Sequence, residues 1–478
     1  MTGRDLLLAA PEITLVVVGF LVILLDLAVR RKGWLVGLSV IGVAVAAVFS
    51  GLLLAPENQG TAFAGSLVVD NFAVAFKFLF LGIALLLLLA SVDYVARFGA
   101  HQGEYYALIL FSTASMMLMA STRELIAIYI ALETTGICLY VLVAMLRDAR
   151  SSEAALKYLV LGAISSAVLL YGLAMMYGLS GRTDLAAIAQ VLSRATMLAE
   201  PALLVGLVFV IAGLGFKLAT VPFQMWVPDV YEGAATPVTA YLSVASKAAG
   251  FALLLRLFYE AFASSSADWA GLFVVISLAS MTLGNVVAIV QTNIKRMLAY
   301  SSIAQAGYLA VGLASVNELG PSGVVFFLVS YALTNLAAFI AIIAITNRVG
   351  SDEINAFAGM GRRAPLLAAV LAFAMLSLTG VPPTGGFIAK IFIFRAGIDA
   401  GLLWLVVAAV INSVISAYYY LRVVKVMYLR EAEGTDPVPA SPALRLALLA
   451  AGLGTLYLGV LPEAVRGAAQ AAARSLFG

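Results

Sequence analysis

The chain has 478 residues, of which 63% are hydrophobic and 11% charged, with a mean hydropathy of +1.06 and a formal net charge of +3. One membrane span needs about 20 apolar residues, so this is the composition of a polytopic, all-α membrane protein, with the lipid bilayer as its solvent and no feature that suits nucleic acid. One cysteine, Cys138, excludes a disulfide within the chain and a thiolate-held cluster or zinc; one histidine, His101, excludes a bis-histidine haem; no GxGxxG or GxxxxGK[ST] motif indicates a nucleotide site.

Apolar runs between polar breaks predict about fourteen transmembrane helices, with cores at 12–29, 34–54, 70–91, 105–120, 123–146, 155–178, 201–221, 236–260, 270–290, 296–314, 320–346, 365–395, 402–428 and 443–461. The first run is flanked by Glu12 and Asp26 and lacks a basic leader and a cleavage site, so it reads as a retained span. Lys77 stands a turn or two from the polar start of the third span and reads as a snorkelling side chain. His101 falls in a loop and receives no role. The fifth span carries Glu133 well inside AIYIALETTGICLYV.

The stretch from Gly213 to Lys247 holds two lysines and three prolines in the middle of the chain. Lys217 lies deep in the seventh run, with Pro222 five residues later. A proline there removes a backbone donor and clashes with the carbonyl of Leu218, so the seventh helix is expected to break. Asp229 and Glu232 then belong to the loop after the break. Lys247 lies ten residues beyond Pro237 in the eighth run, among alanines and serines. Lys295 and Arg296 open the tenth span as topology anchors. The run 365–395 is too long for one straight span and carries Gly380, Pro382, Pro383, Gly385 and Gly386, so it reads as a span broken in its middle, with Lys390 after the break. The tail after Pro462 reads as a short surface helix or a partly disordered segment.

Two broken helices, the seventh and twelfth, are each the fourth member of a five-helix block, which predicts two repeats inverted relative to the membrane. The expected organisation is 1–104 for the first three helices, 105–262 and 263–430 for the two repeats, and 431–478 for the last helix and tail. With the N-terminus outside, the inner loops hold 16 lysines and arginines, Arg30, Arg31 and Lys32 among them. The outer segments then hold 7, including Arg123 and Arg194. That bias predicts both termini on the outside, the periplasmic face of a bacterial inner membrane.

Ionisable residues in hydrocarbon are costly and mark ion paths. Burial disfavours the charged amine and a nearby carboxylate favours it. Glu133 paired with Lys217 would therefore give a lysine that loads and releases a proton as its partner moves. Lys247 and Lys390 complete the set, with Thr220, Ser243, Ser246, Tyr300, Ser301, Ser302, Gln305 and Thr334 available to carry a hydrogen-bonded chain.

The stretches ALETTGICLYVLVAMLRDARSSEAALKYLVLGAISSAVLLYG, GLGFKLATVPFQMWVPDVYEGAATPVTAYLSVASK, NIKRMLAYSSIAQAGY and LTGVPPTGGFIAK resemble the antiporter-like membrane subunits of respiratory complex I, and among these the subunit N family. The likeness covers nearly the whole chain. Gln224 stands where the family motif VPFHxWxPDxYEGAPTPVxA has histidine. The resemblance implies a proton-pumping subunit of NADH:quinone oxidoreductase, with Glu133 paired to Lys217 and Lys247 linked to Lys390. It also implies that NADH, FMN, iron–sulfur clusters and quinone are handled by partner subunits, and that other complex I membrane subunits are the neighbours. A subunit of a multi-subunit sodium/proton antiporter shares the same core motifs and is the alternative.

Overall fold

The computed structural model describes residues 3–29, 32–193, 201–431, 434 and 436–477. Arg30, Arg31 and Arg194 of the charge count lie outside the described residues. Among the described residues the regular structure is helical but for one short hairpin, β1 (Gly60–Ala62) against β2 (Leu67–Val69). The helices follow in order as α1 (Ala10–Ala28), α2 (Gly33–Leu52), α3 (Asn71–Ser91), α4 (Gln102–Ser121), α5 (Leu125–Val143) and α6 (Ala149–Ser180). Then come α7 (Pro201–Leu218) and α8 (Trp226–Gly233), two pieces separated by a turn, and α9 (Thr236–Ala261). The second half holds α10 (Ser266–Ala288), α11 (Ile294–Ala314), α12 (Leu319–Val349), the pair α13 (Pro365–Thr379) and α14 (Gly385–Asp399), α15 (Leu403–Leu429) and α16 (Pro442–Val460). A last helix, α17 (Glu463–Arg474), packs on α3 and α12.

Among the described residues twelve helices are long and apolar enough to cross a membrane. Each predicted core falls on a helix or an interrupted pair. The predicted fourth span, α4, is not among the twelve, and the predicted twelfth is divided into α13 and α14. The tail after Pro462 is helical.

Helix starts are set by side chains that accept from free backbone donors. Asp70 accepts from Ala73 N (2.8 Å), Glu124 from Ala127 N (2.7 Å), Asp148 from Ser151 N (2.7 Å) and Ser441 from Leu444 N (3.2 Å). The outer helices turn apolar side chains outward, such as Leu24 and Leu27 of α1, Ile164 of α6 and Val414 of α15, where lipid is as apolar as the side chains themselves. The centre is formed by α9, α11 and α12, and α9 is buried along its whole membrane-crossing stretch.

With lipid on the outside, close packing rather than water exclusion holds helices together, so small residues sit at the contacts. A Cβ added at Gly172 of α6 would lie 2.9 Å from Gly206 O of α7, and one at Gly284 of α10 would lie 2.8 Å from Tyr300 O of α11. Within α9, two wide π-type turns, Leu242–Ser246 and Leu257–Ala261, flank the segment Lys247–Arg256. Such turns are frequent at functional sites.

Candidate functional site

The seventh helix ends at Leu218, four residues before Pro222, as the proline's steric reach requires. Ala219 turns the chain with a positive φ of 61°, an uncommon conformation for a residue with a side chain. The carbonyls freed at this end are taken up locally. Phe216 O accepts from Ala219 N (3.1 Å) and the Trp226 indole (2.9 Å), and Gly215 O accepts from Thr220 N (3.0 Å). Val221 N donates across to Ser280 Oγ (3.0 Å). Chain then re-enters helix at Trp226, so Asp229 and Glu232 lie in α8 and not in a loop. They pair with Arg296 at 2.8 and 3.0 Å, and with Lys157 (3.0 Å) and Arg150 (2.6 Å) respectively.

Lys217, the last residue but one of α7, is 7% exposed, and its Nζ has no hydrogen-bond partner. It lies over Gly136 of α5 and 5.7 Å from the centroid of the Tyr140 ring. Glu133, one turn earlier on the same face of α5, is half-buried and accepts a short hydrogen bond from Ser166 Oγ of α6. Among the described residues no direct hydrogen bond joins Glu133 to Lys217: the ammonium lies over the same face of α5 one turn away, and the carboxylate accepts from a serine on a third helix.

Lys247 is buried just after the first π-type turn of α9. Its Nζ donates to Ser302 O (2.5 Å) and Ser302 Oγ (3.2 Å) of α11. Ser302 Oγ in turn approaches Tyr231 Oη of α8 (3.4 Å). One turn further along α11, Gln305 Nε2 donates to Leu378 O (3.2 Å), a carbonyl at the free end of α13. Lys390, from α14, closes that same end: its Nζ donates to Leu378 O (3.2 Å), Thr379 O (2.8 Å) and Ser413 Oγ (3.1 Å). A cation on the last carbonyls of a helix meets the negative end of its dipole. Lys390 is thus buried and does not snorkel. The Tyr308 ring lies 4.6 Å below its ammonium, and Asn285 (3.1 Å) and Ser413 (3.4 Å) hold the Tyr308 hydroxyl.

The hydroxyl of Ser330 is buried without a partner and, with Tyr331, borders a cavity of about 10 Å³ beside Lys390, the lower limit for holding one water. Of the other polar residues expected on the path, Ser243 accepts from Asn335 (2.7 Å), Thr334 meets Ser377 (2.9 Å), and Ser301 makes a short hydrogen bond with Tyr420. Thr220 and Ser246 hydrogen-bond only to carbonyls of their own chain segments.

A family model described as NADH:quinone oxidoreductase/Mrp antiporter, TM, matches residues 121–416. A curated relative from Dehalococcoides mccartyi, named NADH-quinone oxidoreductase subunit N, is 47% identical over 466 residues, covering 95% of this chain and 96% of the relative. The chain belongs to the NADH:quinone oxidoreductase/Mrp antiporter membrane family. It is similar to a chain of respiratory complex I from Thermus thermophilus, at 34% identity and a TM-score of 0.81, with 96% of this chain and 98% of that one covered. It also shares its fold with a chain of the Mrp complex from Dietzia sp., at 23% identity and a TM-score of 0.86 over 100% and 98% of the two chains.

In this member of the NADH:quinone oxidoreductase/Mrp family, further buried charge groups among the described residues lie apart from the four expected residues. Lys77 of α3 is fully buried in a close ion pair with Glu12 of α1, which corrects its reading as a snorkelling residue. Arg256 of α9, also fully buried, takes Asp70 (2.8 Å) and Glu260 (2.7 Å), while Arg123 takes Glu260 (2.6 Å). The signal for Arg256 was a charge near the end of an apolar run; Glu260 is four residues on, but Asp70 and Arg123 are distant in sequence. Lys295, expected only as an anchor, is buried between Asp352 (3.0 Å) and Ala234 O (3.0 Å). Gln224, in the histidine position, keeps its Oε1 buried and without a partner.

Proposed function

We propose that this chain is a proton-translocating membrane subunit of an NADH:quinone oxidoreductase, moving protons along a lysine relay driven by quinone reduction elsewhere in the complex. One observation carries the reading. A buried lysine stands at each of two helix interruptions, Lys217 before one and Lys390 after the other, and a third, Lys247, lies between them with its ammonium on Ser302.

In this reading Lys217 is the loading site. Its distance to Glu133 changes when a neighbouring subunit moves or changes charge, and with it the lysine's hold on a proton. Ser302 and Gln305 carry the path along one face of α11 toward the end of α13, where Lys390 releases the proton outward. Helices α4–α9 and α10–α15 act as two inverted units, each built around one break. NADH, FMN, iron–sulfur clusters and quinone belong to partner subunits, and the neighbours of this chain in the membrane are other subunits of the complex. Both termini face the periplasm of a bacterial inner membrane.

The test is a mild-detergent pull-down through a tag on this chain, read by absorbance and by NADH-driven quinone reduction. Flavin and iron–sulfur absorbance with that activity is the expected result. An eluate of membrane subunits without cofactor colour, from vesicles that show sodium-dependent proton flux, would favour a sodium/proton antiporter subunit.

A further inference from the structure

One face of α5 carries Glu133, Gly136 and Tyr140, spaced three and four residues apart. Side chains on a helix lean toward its N-terminus, so a tyrosine covers the turn before its own. Tyr140 accordingly reaches back over Gly136. A Cβ added at Gly136 would lie 3.3 Å from Tyr140 Oη and 2.9 Å from Lys217 Nζ, so the hydroxyl and the ammonium both close on the same spot above Gly136, an approach open only because residue 136 has no side chain. Gly162 of α6 gives the same hydroxyl room on its other side, since a Cβ there would overlap it. Tyr158 holds the ring edge-to-face at 4.7 Å.

Both polar atoms are buried, and neither has a hydrogen-bond partner. Buried polar groups are nearly always satisfied, and two unsatisfied ones facing one space call for an explanation. Packing alone does not supply it, because a phenylalanine would fill the ring's place without the cost of burying a hydroxyl.

We propose that Tyr140 is a proton-transfer residue of the relay, passing protons through its hydroxyl and one water held over Gly136 to Lys217. This rests on the reading of Lys217 as the loading site. Tyr140 lies on the side of Lys217 where α5 ends and α6 begins, and Glu133 lies on the other. The tyrosine therefore stands on the entry side, the inner face in the orientation proposed above. A hydronium arriving from that face gives a proton to the phenolic oxygen. The hydroxyl's own proton passes through the bridging water to the neutral Lys217 amine. The hydronium becomes water, Tyr140 ends as the neutral phenol it was, Lys217 becomes the ammonium, and no electron moves.

The experiment is Tyr140→Phe in the assembled complex in its own membranes, with proton pumping and quinone reduction measured per complex. The ring, its contact with Tyr158 and its face toward Lys217 all remain. Pumping per complex is expected to fall at least about tenfold, toward the ~10²-fold lower end of what a positioned proton-transfer group contributes, with an altered solvent deuterium isotope effect and an unchanged amount of complex. Gly136→Ala keeps both reacting side chains but fills the space between them, and is expected to give the same loss. If Tyr140→Phe does not assemble, Gly162→Ala decides the matter, because the three nearest atoms to its Cβ all belong to Tyr140 and it displaces that hydroxyl rather than Lys217. Wild-type rates per complex in these variants, with Lys217→Ala inactive, would overturn the role of Tyr140 and leave the lysine relay standing. Wild-type pumping in Lys217→Ala would overturn both.

Discussion

Lys77 and Glu12 are 65 residues apart in the chain and in contact in the fold. A lysine near the end of an apolar run looks the same in sequence whether it snorkels or is paired inside, because the deciding partner is on another helix. The two cases differ in their response to mutation. Removing one partner of a buried pair strands the other charge and costs about 3–5 kcal/mol, whereas replacing both by apolar groups of similar volume is nearly neutral. Lys77→Met is therefore expected to lower the thermal stability of the purified complex markedly, and Lys77→Met with Glu12→Leu to restore most of it. Equal stabilities for the single variant and the wild type would contradict the buried pair. The same limit explains the carboxylate. Sequence depth singled out Glu133 and Lys217 as charges inside apolar runs, and the fold buries Lys217 and half-buries Glu133, but Ser166, which engages Glu133, lies on a third helix with no local signal.

At the scale of elements, both interruptions were legible because proline and glycine act on their own backbone, within four residues. Pro222 signalled the break that ends α7 at Leu218, three residues short of the predicted core's end at 221, and the cluster 380–386 signalled the gap between α13 and α14. What the two halves do to each other was not legible. Gly386 lets the start of α14 lie on the end of α13: its backbone N donates to Ser377 Oγ (3.1 Å), and a Cβ there would strike the Ser377 carbonyl. That contact sets the position of Lys390 on Leu378 O and Thr379 O. Gly386→Ala is expected to push the halves apart, with a loss of pumping per complex on the order of tenfold, because Lys390 would lose charge-assisted hydrogen bonds of the stronger kind. Gly37→Ala, in α2, meets nothing within 4 Å and serves as the control, with activity equal to wild type. Unchanged pumping in Gly386→Ala would separate Lys390 from the end of α13 as a functional unit.

Over the whole molecule, charge is sorted into a cluster at each end and a line through the middle. One end holds Asp70, Arg123, Arg256 and Glu260, joining the start of α3, the start of α5 and the end of α9. The other holds Asp229, Glu232, Arg296, Lys157 and Arg150, with Lys295 on Asp352, tying α8 to α6 and α11. Between them lie the three lysines. Periodicity and composition predicted the helices, since each span must satisfy its own backbone in lipid. The clusters needed the fold, because each unites residues from at least three parts of the chain. The central claim concerns the line of lysines, and simultaneous measurement of quinone reduction and proton flux in membrane vesicles carrying Lys217→Ala tests it most directly. A relay loaded at Lys217 predicts that pumping and coupled quinone reduction fall together, on the order of tenfold or more, in fully assembled complex. Wild-type rates of both would contradict it.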